Sequence, residues 1–175
     1  MKKRPTEARI EPLEMKHAPF IQRYASDPAI AATTHVPHPL PENFGKESVR
    51  WAVRLRDEGS GSIYAVYNDE TFVGLCGVRI NEERPNLFYW IGKPFWGHGH
   101  GTAGAFAVLK RVFSEQGYPL IAARSLAANL ASIRILEKCG FQYESSEEYE
   151  PGTLNWYVLK QDDFNRIVQT REMRR

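Results

Sequence analysis

The sequence predicts an α/β (α+β) fold, with a mixed, mostly antiparallel central sheet of about seven strands and helices on both faces. Three observations predict it. Segments alternate along the chain in the order β-α-α-β-β-β-α-β-α-β-β. Two strand pairs, 63–67 with 71–80 and 141–149 with 154–159, are joined by short polar turns and read as antiparallel hairpins. An apolar run at 87–91 enters a glycine-rich turn, from which a long amphipathic helix leaves.

Arg9 to Met15 reads as the first strand. Pro19 suits the first turn of a helix whose apolar side is Phe20, Ile21 and Tyr24, and Asp27-Pro28 ends it. Between Ala31 and Pro41, the prolines at 37, 39 and 41 forbid a regular element. A second helix runs from about Glu42 to Asp57 with Val49, Ala52, Val53 and Arg56 on one face, and 58–62 is a turn. Ile63 to Tyr67 then pairs with Thr71 to Ile80 through Asn68-Asp69-Glu70. Gly74 and Gly77 inside the second of these strands mark a bulge or a close backbone approach. Asn81 to Asn86 is a polar connection to the strand Leu87 to Ile91. In the helix that follows, Thr102, Ala105, Phe106, Leu109, Val112 and Phe113 share one face, and Gly117-Tyr118-Pro119 stops it. Leu120 to Arg124 is a short buried strand. Asn129 is an N-cap for Leu130 to Cys139, a helix that presents Ser132, Ile135, Leu136 and Cys139 together and ends at Gly140. Phe141 to Tyr149 and Leu154 to Leu159 form the last hairpin around Pro151-Gly152, and Gln161 to Gln169 is a terminal helix or a frayed tail. With no repeat and no linker, 1–175 is expected to be one domain.

The chemistry concentrates in Leu87 to Thr102, LFYWIGKPFWGHGHGT. A strand, a turn with glycine at 97, 99 and 101, and a helix N-terminus together make an anion site. The glycines let the backbone bend, and the N–H groups of the first helical turn have no partner inside the helix. A phosphate or pyrophosphate is the expected anion. A Walker A loop is excluded because no Gly-Lys-Ser/Thr stands here. Gly99, Gly101 and Gly104 formally fit a dinucleotide fingerprint, but the run Tyr118 to Ala123 leads to Arg124 and Ser125 rather than to the acidic residue that reading requires. His98 and His100 suggest metal, yet zinc needs three or four ligands and neither His17, His35 nor His38 stands at ligand spacing, so no metal is expected.

Composition narrows the classes further. The chain has 175 residues, 42% hydrophobic and 25% charged, ordinary for a globular protein with a sizeable core. A net charge of +2 is too small to argue for nucleic acid or an anionic membrane surface. Lys2, Lys3 and Arg4 at one end, and Arg171, Arg174 and Arg175 at the other, read as solvated termini. Cys76 and Cys139 form no disulfide framework, no apolar run approaches bilayer length, and the N-terminus lacks a signal-peptide core, so a cytoplasmic location is expected.

Two segments carry a resemblance to a known family. Trp96-Gly97-His98-Gly99-His100-Gly101 resembles the pyrophosphate loop Gln/Arg-x-x-Gly-x-Gly/Ala of the GCN5-related N-acetyltransferases (GNAT), with Trp96 in the Gln/Arg place. Phe95-Trp96-Gly97 followed by x-Gly, and the segment from Asn129 through Ser132 and Lys138 to Gly140-Phe141, are similar to the ribosomal-protein-alanine (RimJ/RimL-like) branch. The resemblance implies the GNAT fold and acetyl-CoA as cosubstrate. It implies that the N–H groups of Gly97, His98, Gly99, His100, Gly101 and Thr102 hold the pyrophosphate. The backbone of Tyr89, Trp90, Ile91 and Gly92 would line the pantetheine, with an N–H near Tyr89 polarising the thioester carbonyl. The side chains of Tyr89 and Trp90 read as packing. Ser132 is the candidate general acid for the leaving thiolate, or else a group that satisfies a nearby N–H. Asn129 caps its helix and is also a pantetheine ligand candidate. Lys138 and Arg134 are candidates for phosphate contacts, or belong to a solvated face.

A carboxylate often stands where this chain has Asn86, so the base is open: Glu82, Glu83, Glu144, Tyr143, His38 or an ordered water. The acceptor is expected to enter between the proline-rich loop, the second helix and the last hairpin. Its wall candidates are Phe44, Trp51, Tyr149 and Trp156, with Glu147, Glu148 and Glu150 near the hairpin turn. The implied activity is direct acetyl transfer to a primary amine, either a protein N-terminus such as a ribosomal protein's or a small amine (amino acid, polyamine, antibiotic). The alternatives are a non-catalytic acyl-CoA-binding module and a nicotinamide-dependent oxidoreductase. A homodimer is left open.

Overall fold

A computed structural model of the chain describes residues 8–81, 84–150 and 152–173. The expectations placed on Lys2, Lys3, Arg4, Glu82, Glu83, Pro151, Arg174 and Arg175 lie outside the described residues. The elements are β1 (Arg9–Pro12), α1 (Ala18–Ala25), α2 (Pro28–Ala31), α3 (Phe44–Asp57), β2 (Gly61–Asn68), β3 (Thr71–Asn81), β4 (Arg84–Ile91), α4 (His100–Gln116), β5 (Leu120–Leu126), α5 (Leu130–Cys139), β6 (Gln142–Tyr149), β7 (Gly152–Lys160) and α6 (Gln161–Met173), with 3₁₀ turns at Met15–His17 and Lys93–Phe95. One seven-stranded sheet runs β1-β2-β3-β4-β5-β7-β6. Among the described residues only the β4–β5 pair is parallel.

Strand alternation builds two cores. Ile63 and Ala65 of β2, Phe72 and Leu75 of β3 and Trp90 of β4 face α1, α2 and α3. Tyr64 and Val66 of β2, Val78 of β3 and Leu87 of β4 face α4, α5 and α6. The last helix is ordered to Met173 because Phe164, 1% exposed, packs on Phe106 and Phe113 of α4 at ring distances of 5.0 and 5.3 Å.

Two local details refine the sequence reading. Asp27-Pro28 ends α1 but also begins α2, because the Asp27 carboxylate accepts the Ala29 N–H at 2.9 Å and Pro28 stands in the first helical turn. In β3 the bulge falls at Val73, between the pairs Val66–Gly74 and Tyr67–Phe72. Gly74 beside it is a close approach, since a Cβ there would lie 2.2 Å from the Trp90 carbonyl oxygen.

The turn before α1 contains a fully buried histidine. His17 Nδ1 accepts the Glu14 N–H at 2.8 Å, so its proton sits on Nε2, 2.9 Å from the Tyr67 hydroxyl. Burial first, and then the Lys16 charge, lowers its pKa against the opposing pull of Glu11. A histidine held neutral in the fold is protonated more readily in the unfolded chain. Its contribution to stability is therefore present above the unfolded pKa of 6.5 and is lost as pH falls. We expect the melting temperature to drop between about pH 7.5 and about pH 5.5, and the drop to be shallower in His17→Gln. His35 and His100 shift in the same direction and keep part of the slope. Identical slopes in the two proteins would remove His17 from the account.

Candidate active site

β4 and β5 pair only at Asn86–Ala122 and Leu87–Ala123, although β4 continues to Ile91 and β5 to Leu126. Past Leu87 the strands part and a cleft opens in the middle of the sheet. Gly92 donates its N–H to the Val73 carbonyl at 2.8 Å, and the Trp90 carbonyl lies against Gly74. Alternation therefore turns Trp90 and Gly92 toward β3, and the backbone N–H groups of Tyr89 and Ile91 toward the cleft. This corrects the expectation that all of Trp90, Ile91 and Gly92 offer backbone to a ligand: β3 has taken two of them. The side chain of Trp90 is core, at 7% exposure. Trp96, in the Gln/Arg place of the motif, has a distinct job here. Its indole N–H donates to the Ile91 carbonyl at 2.5 Å and ties the glycine loop back to its strand.

The loop itself turns through Gly97 (φ 78°) and Gly99 (φ 87°), the left-handed conformation that side chains resist. The first hydrogen bond of α4 runs from the Ala103 N–H to Gly99 O at 3.0 Å, and Gly99 brings no side-chain cap. The N–H groups of His100, Gly101 and Thr102 thus precede the helix ladder at its positive end. His100 is buried, edge-on to Phe95 at 6.4 Å, and burial ahead of the neighbouring His98 lowers its pKa, so its ring is neutral at neutral pH. The His98 and His100 rings lie 6.1 Å apart, and among the described residues no group of three or more metal-ligand side chains forms around them. α5 braces this turn: a Cβ on Gly101 would meet Ile135 at 2.6 Å, and Cys139 Sγ reaches the Thr102 carbonyl at 4.0 Å. Lys138 is exposed in the last turn of α5, next to that contact.

The other end of α5 enters the cleft. Asn129 Oδ1 accepts the Ser132 N–H at 3.2 Å, as its N-cap role requires. Ser132 Oγ lies 2.9 Å from the Tyr89 hydroxyl, which also donates to the Ser132 carbonyl at 3.2 Å. Burial raises the Tyr89 pKa well above its ordinary value, so the phenol keeps its proton. Reading the Tyr89 side chain as packing misses this pair. The available signal was the strand alternation that puts Tyr89 on the α5 side, combined with the Ser132 face of α5.

A cavity of about 680 Å³ adjoins the pair. It is walled by residues 31–36, by Phe44 and Trp51 of α3, and by Tyr149 at the last hairpin, as the sequence reading expects; Trp156 is not among the lining residues. The base candidates fare differently. Glu144 is paired with Arg84 at 3.1 Å, Tyr143 bonds Ser146 at 2.7 Å, and His38 does not line the cavity. Glu147 accepts the Trp156 indole N–H at 3.1 Å. Asn86, 6% exposed, donates to the Arg84 carbonyl at 2.8 Å, and its buried Oδ1 has no hydrogen-bond partner among the described residues. Both cysteines are buried, Cys139 with a pKa pushed up to about 12 by burial and Cys76 raised by the same cause, so neither is a nucleophile. Among the described residues no helix is long and apolar enough to cross a membrane.

The chain resembles known proteins in sequence and in fold. The chain's 32% identity to the uncharacterized protein YkkB of Bacillus subtilis (strain 168) runs over 108 residues, 58% of this chain and 62% of YkkB, so the match spans less than two thirds of that relative. The structure superposes on RimL, a ribosomal alpha-N-protein acetyltransferase in complex with coenzyme A, with a TM-score of 0.81 at 14% identity, covering 90% of this chain and 96% of that one. It superposes on spermidine N-acetyltransferase from Vibrio cholerae, in complex with CoA and spermine, with a TM-score of 0.77 at 16% identity, covering 92% and 99%. Likeness at such identities is likeness of fold. The family model for an acetyltransferase (GNAT) domain matches residues 8–142, well over half of the sequence, and the chain belongs to that family.

Proposed function

We propose that this chain, as one acetyltransferase domain over 1–175, transfers acetyl from acetyl-CoA directly to a primary amine, as its RimJ/RimL-like motifs suggest. The observation that carries the reading is the parted β4–β5 pair, with the uncapped N-terminus of α4 at one end and the Tyr89–Ser132 pair at the other. The spare N–H groups of the Gly97–Thr102 turn suit a diphosphate, with the Thr102 hydroxyl and Lys138 as further contacts. Ile91 and Asn129 suit the amide-bearing pantetheine arm.

Acetyl-CoA supplies an acyl group already activated as a thioester. The Tyr89 N–H polarises the carbonyl that the amine attacks. Ser132 gives its hydroxyl proton to the departing sulfur while the Tyr89 phenol holds Ser132 in place. No carboxylate stands at Asn86: the acceptor ammonium first loses a proton to solvent in the open cavity, the free amine attacks, and the nitrogen gives up a second proton as the amide forms while solvent returns one to the Ser132 oxygen. A reducing cytoplasm suits the two free, buried cysteines.

Calorimetric titration with acetyl-CoA and with NADH, followed by thiol release on an amine and peptide panel, tests this. We expect acetyl-CoA and not NADH to bind, with turnover on one acceptor class. We also expect kcat/KM to rise with pH up to the acceptor's own pKa. Binding without turnover on any acceptor would favour the non-catalytic acyl-CoA module; absence of acetyl-CoA binding would overturn the proposal.

A further inference from the structure

The acceptor cavity has a cationic floor. On the sheet face turned to α1–α3, Arg79 of β3 pairs directly across from Asn86 of β4, and Asn86 across from Ala122 of β5. Arg124 follows two residues along β5 on the same face. Arg79, Asn86 and Arg124 all line the cavity, and His35 joins them from the 31–36 segment. The Arg124 guanidinium lies over the Trp156 ring at 5.6 Å, and Glu147 holds that ring by its indole N–H, so Arg124 is aimed by a braced aromatic platform. Arg79 lies near the Trp51 and Phe88 rings at 5.7 and 5.8 Å.

These groups feel one another. Burial and then the charge of Arg124 lower the Arg79 pKa; burial and then Arg124 and Arg79 lower that of His35. Among the described residues no carboxylate oxygen lies within 4.0 Å of the half-buried Arg124. Glu47 and Glu150 border the same cavity, but Glu47 is exposed and paired with Arg50, and Glu150 is exposed at the hairpin tip. Among the described residues the cavity's carboxylates are therefore exposed, while Arg124 stands on the sheet that floors it. A half-buried arginine facing a cavity without a counter-ion is the arrangement that a carboxylate completes, because its planar fork matches the two oxygens. The unpartnered Oδ1 of Asn86, between the arginines, is an acceptor suited to an N–H of the same molecule.

Resting on the transferase reading above, we infer that the acceptor is an amine that also carries a carboxylate, as a free amino acid does. Arg124, helped by His35, grips the carboxylate while the amine lies toward Tyr89. Polyamines and aminoglycosides, which bring several positive charges to this floor, are disfavoured.

The test uses matched acceptors on the full chain: free amino acids, their amides, the corresponding aminoalkylphosphonates, and spermidine. Thiol release is read alongside calorimetric binding of N-acetyl amino acids and N-acetyl amino-acid amides to the CoA-loaded protein. The acids are expected to exceed their amides by at least about tenfold in kcat/KM, mostly through KM. Arg124→Gln should lose that preference and Arg124→Lys keep part of it, with retained acetyl-CoA affinity verifying the fold. A preference for phosphonates over carboxylates would overturn the carboxylate assignment. Equal rates on acids and amides, a preference for spermidine, or an acid preference that survives Arg124→Gln would overturn the anion site. If no acceptor turns over, the binding arm still decides: tighter N-acetyl acid than N-acetyl amide supports the site, equality overturns it, and the lost turnover counts only against the transfer reaction.

Discussion

Gly99→Val is expected to weaken acetyl-CoA binding by at least about 100-fold while the protein still folds. Gly99 has a φ of 87° and is the residue from which α4 begins. A left-handed conformation disfavours an ordinary side chain by about 1–2 kcal/mol, more with a branched Cβ. The chain can relieve that strain only by turning Gly99 out of position, and the N–H groups of His100, Gly101 and Thr102 then lose their common aim. Charge-assisted hydrogen bonds of this kind contribute about 1.5–3 kcal/mol each, so losing the aim of two already accounts for a 100-fold effect. Gly117 offers the internal control: it ends the same helix at φ 65° with nothing within 4 Å of its hypothetical Cβ. Gly117→Ala should lower the melting temperature through backbone strain and leave the acetyl-CoA affinity alone. Calorimetry on both variants checks the pair. Wild-type affinity in Gly99→Val would sink the assignment of this turn as the phosphate site.

What was legible in the sequence was what is local. The 87–102 stretch carries its strand, turn and helix start within a short run of residues, and glycine at 97 and 99 announces the positive φ that the backbone adopts. Asn129 as a cap and Gly140 as a stop follow from the same short-range chemistry. What was not legible depends on pairing across the sheet. Tyr89 and Ser132 are 43 residues apart, and their contact exists because α5 packs on the face of β4 that Tyr89 shares. Arg79, Asn86 and Arg124 come from three strands and meet only through register. Glu144 stood among the base candidates and Glu147 near the last hairpin turn, but the fold pairs Glu144 with Arg84 and gives Glu147 to Trp156, partners that only the strand pairing reveals. Trp96 illustrates the middle case. Its place in the motif was plain, but its bond to the Ile91 carbonyl needed the loop to close before it had meaning.

Ser132→Ala is expected to lower kcat by about 100-fold with little change in the KM for acetyl-CoA, since a positioned general acid typically contributes 10²–10⁴-fold. The chemical reason is the leaving group. A CoA thiolate departs readily only when its charge is met, and Ser132 Oγ is the hydroxyl that α5 presents to the cleft beside Tyr89. Tyr89 acts through Ser132. Burial keeps its phenol protonated, and that one proton, shared between the Ser132 hydroxyl and carbonyl oxygens, fixes the serine rotamer and leaves the Ser132 proton for the sulfur. Tyr89→Phe should therefore reduce kcat by about tenfold, roughly the 1–1.5 kcal/mol that one lost hydrogen bond represents, and lower the melting temperature slightly as α5 loosens from β4. Because the two groups act as a unit, the double variant should be no slower than Ser132→Ala by more than about twofold. Steady-state thiol release at saturating acceptor, with acetyl-CoA affinity measured in parallel, separates the outcomes. Strict additivity would mean that Tyr89 has its own contact with the reacting atoms. Wild-type kcat in Ser132→Ala would reduce the pair to a clamp between α5 and β4, and leave the departing sulfur to be protonated by water.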